Sequence, residues 1–258
     1  MSDPLHDQVI VITGASGGIG AALARQVAAR GARPVLAARR AEALHEVAAT
    51  CAGEALVVPT DVTQRAAVEA LCAAALAHHG RIDAWVNNAG QGISRPPSAL
   101  TDEDIDAMVT VNLKSALYGT QAVLPHFKER GRGVVINVSS MLGRIPWAPI
   151  RSAYSATKAA LNSLTASFRV EHAAQWPGLV FGVFTPGVVA TDFGRNARGG
   201  GLDNRQLPGA QDVEEVAAAL ADQLAHPQAE AYSRPGYAAQ VAAYYADMGA
   251  YEQAMLRR

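Results

Sequence analysis

The chain has 258 residues, of which 50% are hydrophobic and 17% charged, so it can bury a substantial core. Its 22 basic and 23 acidic residues give a net charge of -1, which offers no electrostatic basis for binding nucleic acid or an anionic membrane. No signal peptide and no apolar run of the roughly 20 residues that span a bilayer is present, so we expect a cytoplasmic protein. Cys51 and Cys72 lack metal-ligand spacing, which predicts two spectator thiols and no metal site.

Short β-branched runs alternate with Ala- and Leu-rich stretches of helical periodicity. Strands are predicted at 9–13, 34–38, 55–59, 82–87, 133–138 and 179–184, and helices at 19–29, 41–51 and 64–79. Continuously apolar strands imply burial on both faces, and the alternation implies a parallel sheet with helices on both sides. We therefore predict a single doubly wound α/β domain over residues 1–258.

The last third of the chain is less regular. Residues 195–212 are Gly-rich and polar, and we expect a mobile substrate loop over residues 191–210. Helices are predicted at 213–226 and 236–256, with a short strand near "EAYS" at 230–233.

The stretch "TGASGGIG" (13–20) lies between the first strand and the first helix. Gly14, Gly18 and Gly20 permit a tight turn and let a pyrophosphate approach the backbone at a helix N-terminus. An isolated glycine motif is weak evidence and fits an ordinary turn. Its position at the start of a βαβ array predicts a dinucleotide site.

The second strand ends in Ala38, Arg39 and Arg40, with no acid to bind the adenosine ribose hydroxyls. Arg39 could pair with a 2'-phosphate through its planar guanidinium. NADP(H) is therefore favoured over NAD(H), although both arginines could simply be solvated at a helix start.

Tyr154 and Lys158 lie four residues apart, on one face of a predicted helix. A tyrosine titrates near 10, and a neighbouring cation is expected to lower that pKa. The pair is therefore a candidate general acid and base.

Ser140 ends the fifth strand, where it could bind a substrate oxygen, and Asn112 is a polar residue in an otherwise apolar helix. Taken singly, each of these residues also fits a purely structural role.

Seven motifs in order resemble the short-chain dehydrogenase/reductase family over about residues 8–230. They are "TGASGGIG" (13–20), "TDVT" (60–63), "NNAG" (87–90), "VNLKSALYGTQAVLP" (111–125), "INVSS" (136–140), "YSATK" (154–158) and "TPGVVAT" (185–191).

This resemblance implies a Rossmann-type fold and the reversible oxidation of an alcohol to a carbonyl. The implied catalytic residues are Asn112, Ser140, Tyr154 and Lys158, with Asn112 helping to hold a relay water. The implied cofactor-binding residues are Gly14, Ser16, Gly18, Ile19, Gly20, Arg39, Arg40, Asp61, Val62, Asn88, Ala89, Gly90, Tyr154, Lys158, Pro186, Gly187, Val189 and Thr191. A homodimer or homotetramer is expected through the helices that carry Asn112 and Tyr154.

Two departures from the family pattern affect these assignments. The spacing from Ser140 to Tyr154 is one residue longer than members more often show, which leaves Ser139 as an alternative. Gly17 stands where many NADP-dependent members carry Arg or Lys, so Arg39 is the main phosphate candidate, helped by Arg40 and Ser16.

The substrate is a small molecule whose identity the sequence leaves open. Its pocket is expected from 91–100, the loop after Ser140, and about 192–208. These segments hold the apolar residues Met141, Leu142, Trp147 and Phe193 and the arginines Arg95, Arg144, Arg195 and Arg198. Solvated arginines are common, so they do not predict an acidic substrate.

The predicted function is an NADP(H)-dependent oxidoreductase that interconverts a carbonyl and an alcohol, with Tyr154 as general acid and base. The alternative is a non-catalytic NAD(P)-binding regulatory protein. An epimerase or dehydratase of related fold usually has a larger C-terminal domain than this chain allows.

Overall fold

The computed structural model describes residues 3–257, which form a seven-stranded parallel sheet in the order β3-β2-β1-β4-β5-β6-β7. The strands are β1 Val9–Thr13, β2 Arg33–Ala38, β3 Leu56–Pro59, β4 Ala84–Asn87, β5 Gly133–Val138, β6 Leu179–Thr185 and β7 Glu230–Tyr232. The predicted doubly wound, Rossmann-type sheet is confirmed. Ile10 of β1 pairs with Pro34 on one side and Ala84 on the other, so the strand order reverses beside β1.

Helices connect and flank the strands. They are α1 Gly18–Ala29, α2 Ala41–Ala49, α3 Arg65–His79, α4 Asp102–Val109, α5 Ser115–Arg130, α6 Ser152–His172, α7 Val213–Ala225, α8 Tyr237–Ala246 and α9 Met248–Leu256. A π-helical turn, Thr110–Lys114, joins α4 to α5. Within the described residues, no helix is both long and apolar enough to cross a membrane.

The single final helix expected at 236–256 is wrong, because the chain forms α8 and α9 there. Asp247 separates them with extended backbone angles (φ -156°, ψ 91°), and its carboxylate accepts the N–H of Ala250. An aspartate that caps a new helix in this way competes with continuation of the preceding helix.

The two faces of the sheet bury separate cores. Ile10 and Ile12 pack with the apolar faces of α1, α2 and α7. Val9 and Val11, which point the opposite way, pack with α3, α5 and α6. Because side chains alternate along a strand, both sets must be apolar, and this explains the continuous apolar runs in the sequence.

A buried chain of hydrogen bonds ties the carboxyl ends of β4 and β5 to the helices. Trp85 Nε1 donates to Asn87 Oδ1 (2.8 Å), Asn87 Nδ2 donates to Asn137 Oδ1 (2.8 Å), and Asn137 Nδ2 donates to Thr165 Oγ1 (2.8 Å). Since buried polar groups must be paired, these contacts fix the sheet edge on which the site is built.

The two cysteines are unpaired thiols outside this edge. Cys72 is buried, which raises the pKa of its thiol to about 11, and Cys51 is half-buried. A thiol with so high a pKa is a poor nucleophile near neutrality.

Candidate active site

The carboxyl ends of β1 and β4 meet where the strand order reverses, and the glycine motif lies there. Gly14 has a φ of +70°, and a Cβ on it would lie 2.9 Å from Ala89 Cα and 2.9 Å from Asn88 Nδ2. The side chain of Asn88 donates to the carbonyl of Thr13 at 2.9 Å. The motif therefore packs backbone against backbone with the "NNAG" segment, at the edge where such sheets bind ligands.

The start of α1 is open to an anion. Gly17, its N-cap residue, has no side chain to accept from the first N–H groups, and the first turn contains no acidic residue. Gly18 (φ +53°) faces the segment after β6, since a Cβ on it would lie 3.4 Å from Thr191 Cγ2. Unpaired N–H groups and the helix dipole therefore favour a phosphate group in this cleft.

The predicted residues after β6 form the facing wall of the cleft. The carbonyl of Pro186 accepts the N–H of Met141 (2.8 Å), and the N–H of Gly187 donates to Ser233 Oγ (3.3 Å). Val189 pairs with Gln211 in an isolated bridge. These contacts hold the segment 186–191 opposite the glycine motif.

The two arginines after β2 occupy different positions. Arg40 Nη2 donates to the carbonyl of Ser16 (3.0 Å) and lies 3.2 Å from its Oγ, which links it to the glycine motif. Arg39 is exposed on the side of Asp61. The pKa of Asp61 is lowered mainly because its carboxylate accepts the N–H of Thr63, and the charge of Arg39 adds to the effect.

The remaining cofactor candidates line or support this cleft. Val62 is buried, Ile19 packs on the core beneath α1, and Ala89 packs on the opposite core. With a tight turn of glycines that carry no side chain, an open helix N-terminus and basic residues at the outer end, the residues present fit a dinucleotide.

Tyr154 and Lys158 are both buried at the start of α6, with 7% and 3% of their surfaces exposed. Lys158 Nζ donates to the carbonyl of Val138 (2.7 Å), at the end of β5, and lies 5.8 Å from the centre of the Tyr154 ring. The helical spacing brings both side chains to the cleft, but the lysine hydrogen-bonds to the strand.

Burial dominates the ionisation of this pair. It raises the pKa of Tyr154 to about 12, although the nearby hydroxyl of Ser140 and the charge of Arg151 act in the opposite direction. Burial also lowers the pKa of Lys158 to about 8. The expectation that Lys158 lowers the pKa of Tyr154 is not met here, because desolvation of the phenolate outweighs the nearby cations. The phenol is therefore protonated near neutrality and ready to donate.

The structure distinguishes the two candidate serines at the end of β5. Ser140 lies close enough to the Tyr154 phenol to lower its pKa, and its Oγ accepts the N–H of Leu142 (3.1 Å). Ser139 Oγ instead lies 3.3 Å from the carbonyl of Lys158. The additional residue before Tyr154 thus leaves Ser140 beside the phenol.

Asn112 lies in the π-helical turn between α4 and α5. Its Oδ1 accepts the N–H of Gln91 (2.9 Å), and its Nδ2 donates to the Gln91 carbonyl (3.0 Å). A Cβ on the neighbouring Gly90 would lie 3.0 Å from Asn112 Oδ1 and 3.6 Å from Lys158 Nζ. Asn112 therefore fixes the backbone that runs past the lysine, and a π-helical turn is a common feature of functional sites.

Each of the four arginines expected near the substrate has a carboxylate partner. Arg95 and Arg198 share Asp104, which is 1% exposed, at 2.9 and 2.6 Å. The other ion pairs are Arg144 with Glu230 and Arg195 with Asp192. The pairing of Arg198 also ties the Gly-rich loop to α4.

Sequence reasoning missed Arg151 as a residue of this site. It lies half-buried beside the segment 92–94, and its positive charge acts to lower the pKa of Tyr154. Its spacing of three residues from Tyr154, one helical turn, was a signal in the sequence.

The chain matches a family model described as short chain dehydrogenase over residues 8–200. An uncharacterized oxidoreductase of Staphylococcus epidermidis is 36% identical over 201 residues, which cover 75% of this chain and 86% of that protein.

Solved structures of similar fold contain nicotinamide dinucleotides. An alcohol dehydrogenase from Thermococcus sibiricus, complexed with 5-hydroxy-NADP, superposes with a TM-score of 0.78 at 29% identity over 88% of this chain and 96% of that one. A 3-ketoacyl-(acyl-carrier-protein) reductase from Brucella melitensis, complexed with NADH, has a TM-score of 0.78 and 29% identity over 89% and 98% of the two chains.

Proposed function

Because the chain belongs to the short-chain dehydrogenase family of oxidoreductases, we propose that it interconverts a carbonyl and a primary or secondary alcohol with NADP(H). The observation that carries the proposal is the buried, protonated phenol of Tyr154, which lies near Ser140 and beside a cleft that fits a dinucleotide. A phenol so placed suits proton transfer to an oxygen.

Hydride exchange with the substrate carbon is the chemistry that a nicotinamide cofactor supplies when bound. Tyr154 donates its proton to the substrate oxygen during reduction and takes it back during oxidation. Ser140 donates a hydrogen bond to the same oxygen and holds it in position. Lys158 has donors for the nicotinamide ribose, and Asn112 supports a relay water behind it.

Three features of the outer cleft support NADP(H) over NAD(H). Ala38 presents no carboxylate to repel a 2'-phosphate. Arg39 is exposed at the end of β2, and Arg40 is already held against Ser16. We assign the phosphate contact to Arg39, assisted by Arg40 and Ser16.

We also propose a homodimer or homotetramer formed through the helices that carry Asn112 and Tyr154. An apolar groove between α4 and α6 supports this, since Ile105 exposes 41% of its surface beside Met108 and Ala156. Apolar surface of this kind favours association with another protein surface.

Cofactor oxidation with NADPH and NADH, measured against ketones, aldehydes and keto sugars, tests the proposal. We expect turnover of at least one class, faster with NADPH. Tight cofactor binding without turnover of any carbonyl would favour the non-catalytic regulatory protein instead. The buried, protonated phenol of Tyr154 argues against that alternative, because a protein that only binds nucleotide has no need of a proton donor beside the cofactor.

A further inference from the structure

Arg151 differs from the four arginines named around the substrate pocket. It forms no ion pair with any carboxylate of residues 3–257, whereas each of the other four does. Its Nη1 donates to the carbonyl of Ile93 at 3.0 Å. Half-buried in this way, the guanidinium keeps its charge with only part of its hydrogen-bonding capacity used. An unpaired, partly desolvated cation favours an anion.

A second unsatisfied polar group lies beside it. Ser94 Oγ is buried and has no hydrogen-bond partner within the described part of the chain. The position that a Cβ on Gly201 would take lies 2.5 Å from the carbonyl oxygen of Gly194, 3.0 Å from Ser94 Oγ and 3.2 Å from Arg151 Nη2. The hydroxyl and the guanidinium therefore converge at the bare backbone of the Gly-rich loop. Buried polar groups are rarely left unpaired, so this convergence points to a ligand.

The same guanidinium faces the reacting groups. A Cβ on Gly92 would lie 3.0 Å from Arg151 Nη1 and 3.0 Å from Phe193 Cε1. The ring of Phe193 packs edge-on against that of Tyr154, with 5.4 Å between centroids. Phe193 thus lies close to both the cation of Arg151 and the phenol of Tyr154.

We propose that Arg151 and Ser94 bind a carboxylate of the substrate, so that the enzyme acts on hydroxy acids and oxo acids. One cation and one hydroxyl match the two oxygens and single charge of a carboxylate, with Arg151 Nη2 and Ser94 Oγ as donors. This assignment rests on the proposed oxidoreductase function, and it adds the substrate class.

The test compares each oxo acid with its own methyl ester, which keeps the carbonyl and removes the charge. 2-Oxo, 3-oxo and 4-oxo acids of four or five carbons are used with NADPH. For the best acid, we expect kcat/KM to exceed that of its ester by ~10-fold or more. This is the factor that the loss of one charge-assisted hydrogen bond produces. Arg151→Gln should lower this acid-to-ester ratio ~10-fold or more through the KM of the acid, and Arg151→Lys should restore part of it.

Arg169→Gln is the matched control. Arg169 lies on α6, also lacks a carboxylate partner among residues 3–257, and donates to the carbonyl of Phe181 (2.9 Å) away from the cleft. Its acid-to-ester ratio should stay at the wild-type value. Ser94→Ala provides a second variant should Arg151→Gln not fold, and it should raise the KM of the acid in the same direction.

Inhibition of ester reduction by butyrate, which has a carboxylate but no ketone or aldehyde, measures carboxylate binding without turnover of an acid. Competitive inhibition that weakens in Ser94→Ala supports the site. Turnover of esters without preference for acids, or an unchanged ratio in Arg151→Gln, overturns the carboxylate site but leaves the oxidoreductase function standing. Preference for a keto phosphate over every oxo acid also overturns it. If no carbonyl compound is turned over although the cofactor binds, the proposed function itself is overturned.

Discussion

Lys158 Nζ donates to the carbonyl of Val138 at 2.7 Å, so the lysine of the Y-x-x-x-K motif is anchored to the end of β5. This contact holds the ammonium 5.8 Å from the centre of the Tyr154 ring. In the proposed function the two residues have distinct tasks: the phenol transfers the proton, and the lysine is held where its remaining donors can orient a ribose.

Tyr154→Phe should lower kcat by ~10²- to 10⁴-fold, because it removes the proton donor and keeps the ring. The dissociation constant for NADPH should stay within ~3-fold, about 0.7 kcal/mol. Steady-state kinetics and fluorescence titration measure the two effects. Tyr245→Phe, at a tyrosine 56% exposed on α8, is the control and should behave as wild type. Normal turnover by Tyr154→Phe would refute the mechanism.

Lys158→Met should change how stability depends on pH. Burial lowers the pKa of Lys158 to about 8, from 10.5 in the unfolded chain. Between these values the unfolded chain binds more protons, so the wild-type free energy of unfolding should rise with pH relative to the variant. The relative gain should reach roughly 3 kcal/mol at most. Urea denaturation of both proteins at pH 7, 8.5 and 10 measures it, and a constant difference would contradict the lowered pKa.

Arg39→Asp should shift cofactor preference towards NADH, because the carboxylate repels a 2'-phosphate and can bind the ribose hydroxyls. We expect the ratio of kcat/KM for NADPH to that for NADH to fall ~10-fold or more. Arg65→Asp, at an exposed arginine that bonds Gln121, controls for the change in net charge. An unchanged ratio would place the phosphate contact elsewhere, with Arg40 as the next residue to test.

Asp104→Asn should loosen the Gly-rich loop. The hydrogen bond from Arg198 and the charge of Arg95 hold the pKa of Asp104 below its usual range, so the carboxylate is ionised at neutral pH. Loss of that charge should speed tryptic cleavage after Arg198 and raise the KM of the carbonyl substrate. Asp106→Asn, at an exposed position on α4, is the matched control. Equal cleavage rates in both variants would show that the ion pairs do not restrain the loop.

Gly20→Ala should weaken both folding and cofactor binding. Its Cβ would lie 2.6 Å from Asn88 Nδ2 and in steric overlap with the carbonyl of Gly14, so the glycine motif must shift. We expect a loss of ~1–3 kcal/mol in stability, as for other overpacked sites. Gly236→Ala, with φ -73° and nothing within 4 Å of its Cβ, should change stability by less than ~1 kcal/mol. Thermal melts with and without NADPH compare the two.

The parallel α/β sheet follows from the amino-acid sequence alone, because apolar strand runs and helical periodicity are local patterns that burial on two faces requires. The sequence also identified the glycine motif and the pair Tyr154 and Lys158. A turn between a strand and a helix, and a spacing of one helical turn, constrain the position of side chains before any distant contact forms.

The pairing of polar and charged groups emerges only in the folded protein, because the partners come from distant parts of the chain. The tertiary structure placed Ser140 rather than Ser139 beside Tyr154, and it set Arg40 against Ser16. It also showed that burial outweighs nearby charge in raising the pKa of the Tyr154 phenol. The arginines of the substrate loops looked equivalent in sequence. Folding pairs four of them with carboxylates and, within residues 3–257, leaves Arg151 without a carboxylate partner, because charge pairing depends on which loops the sheet brings together.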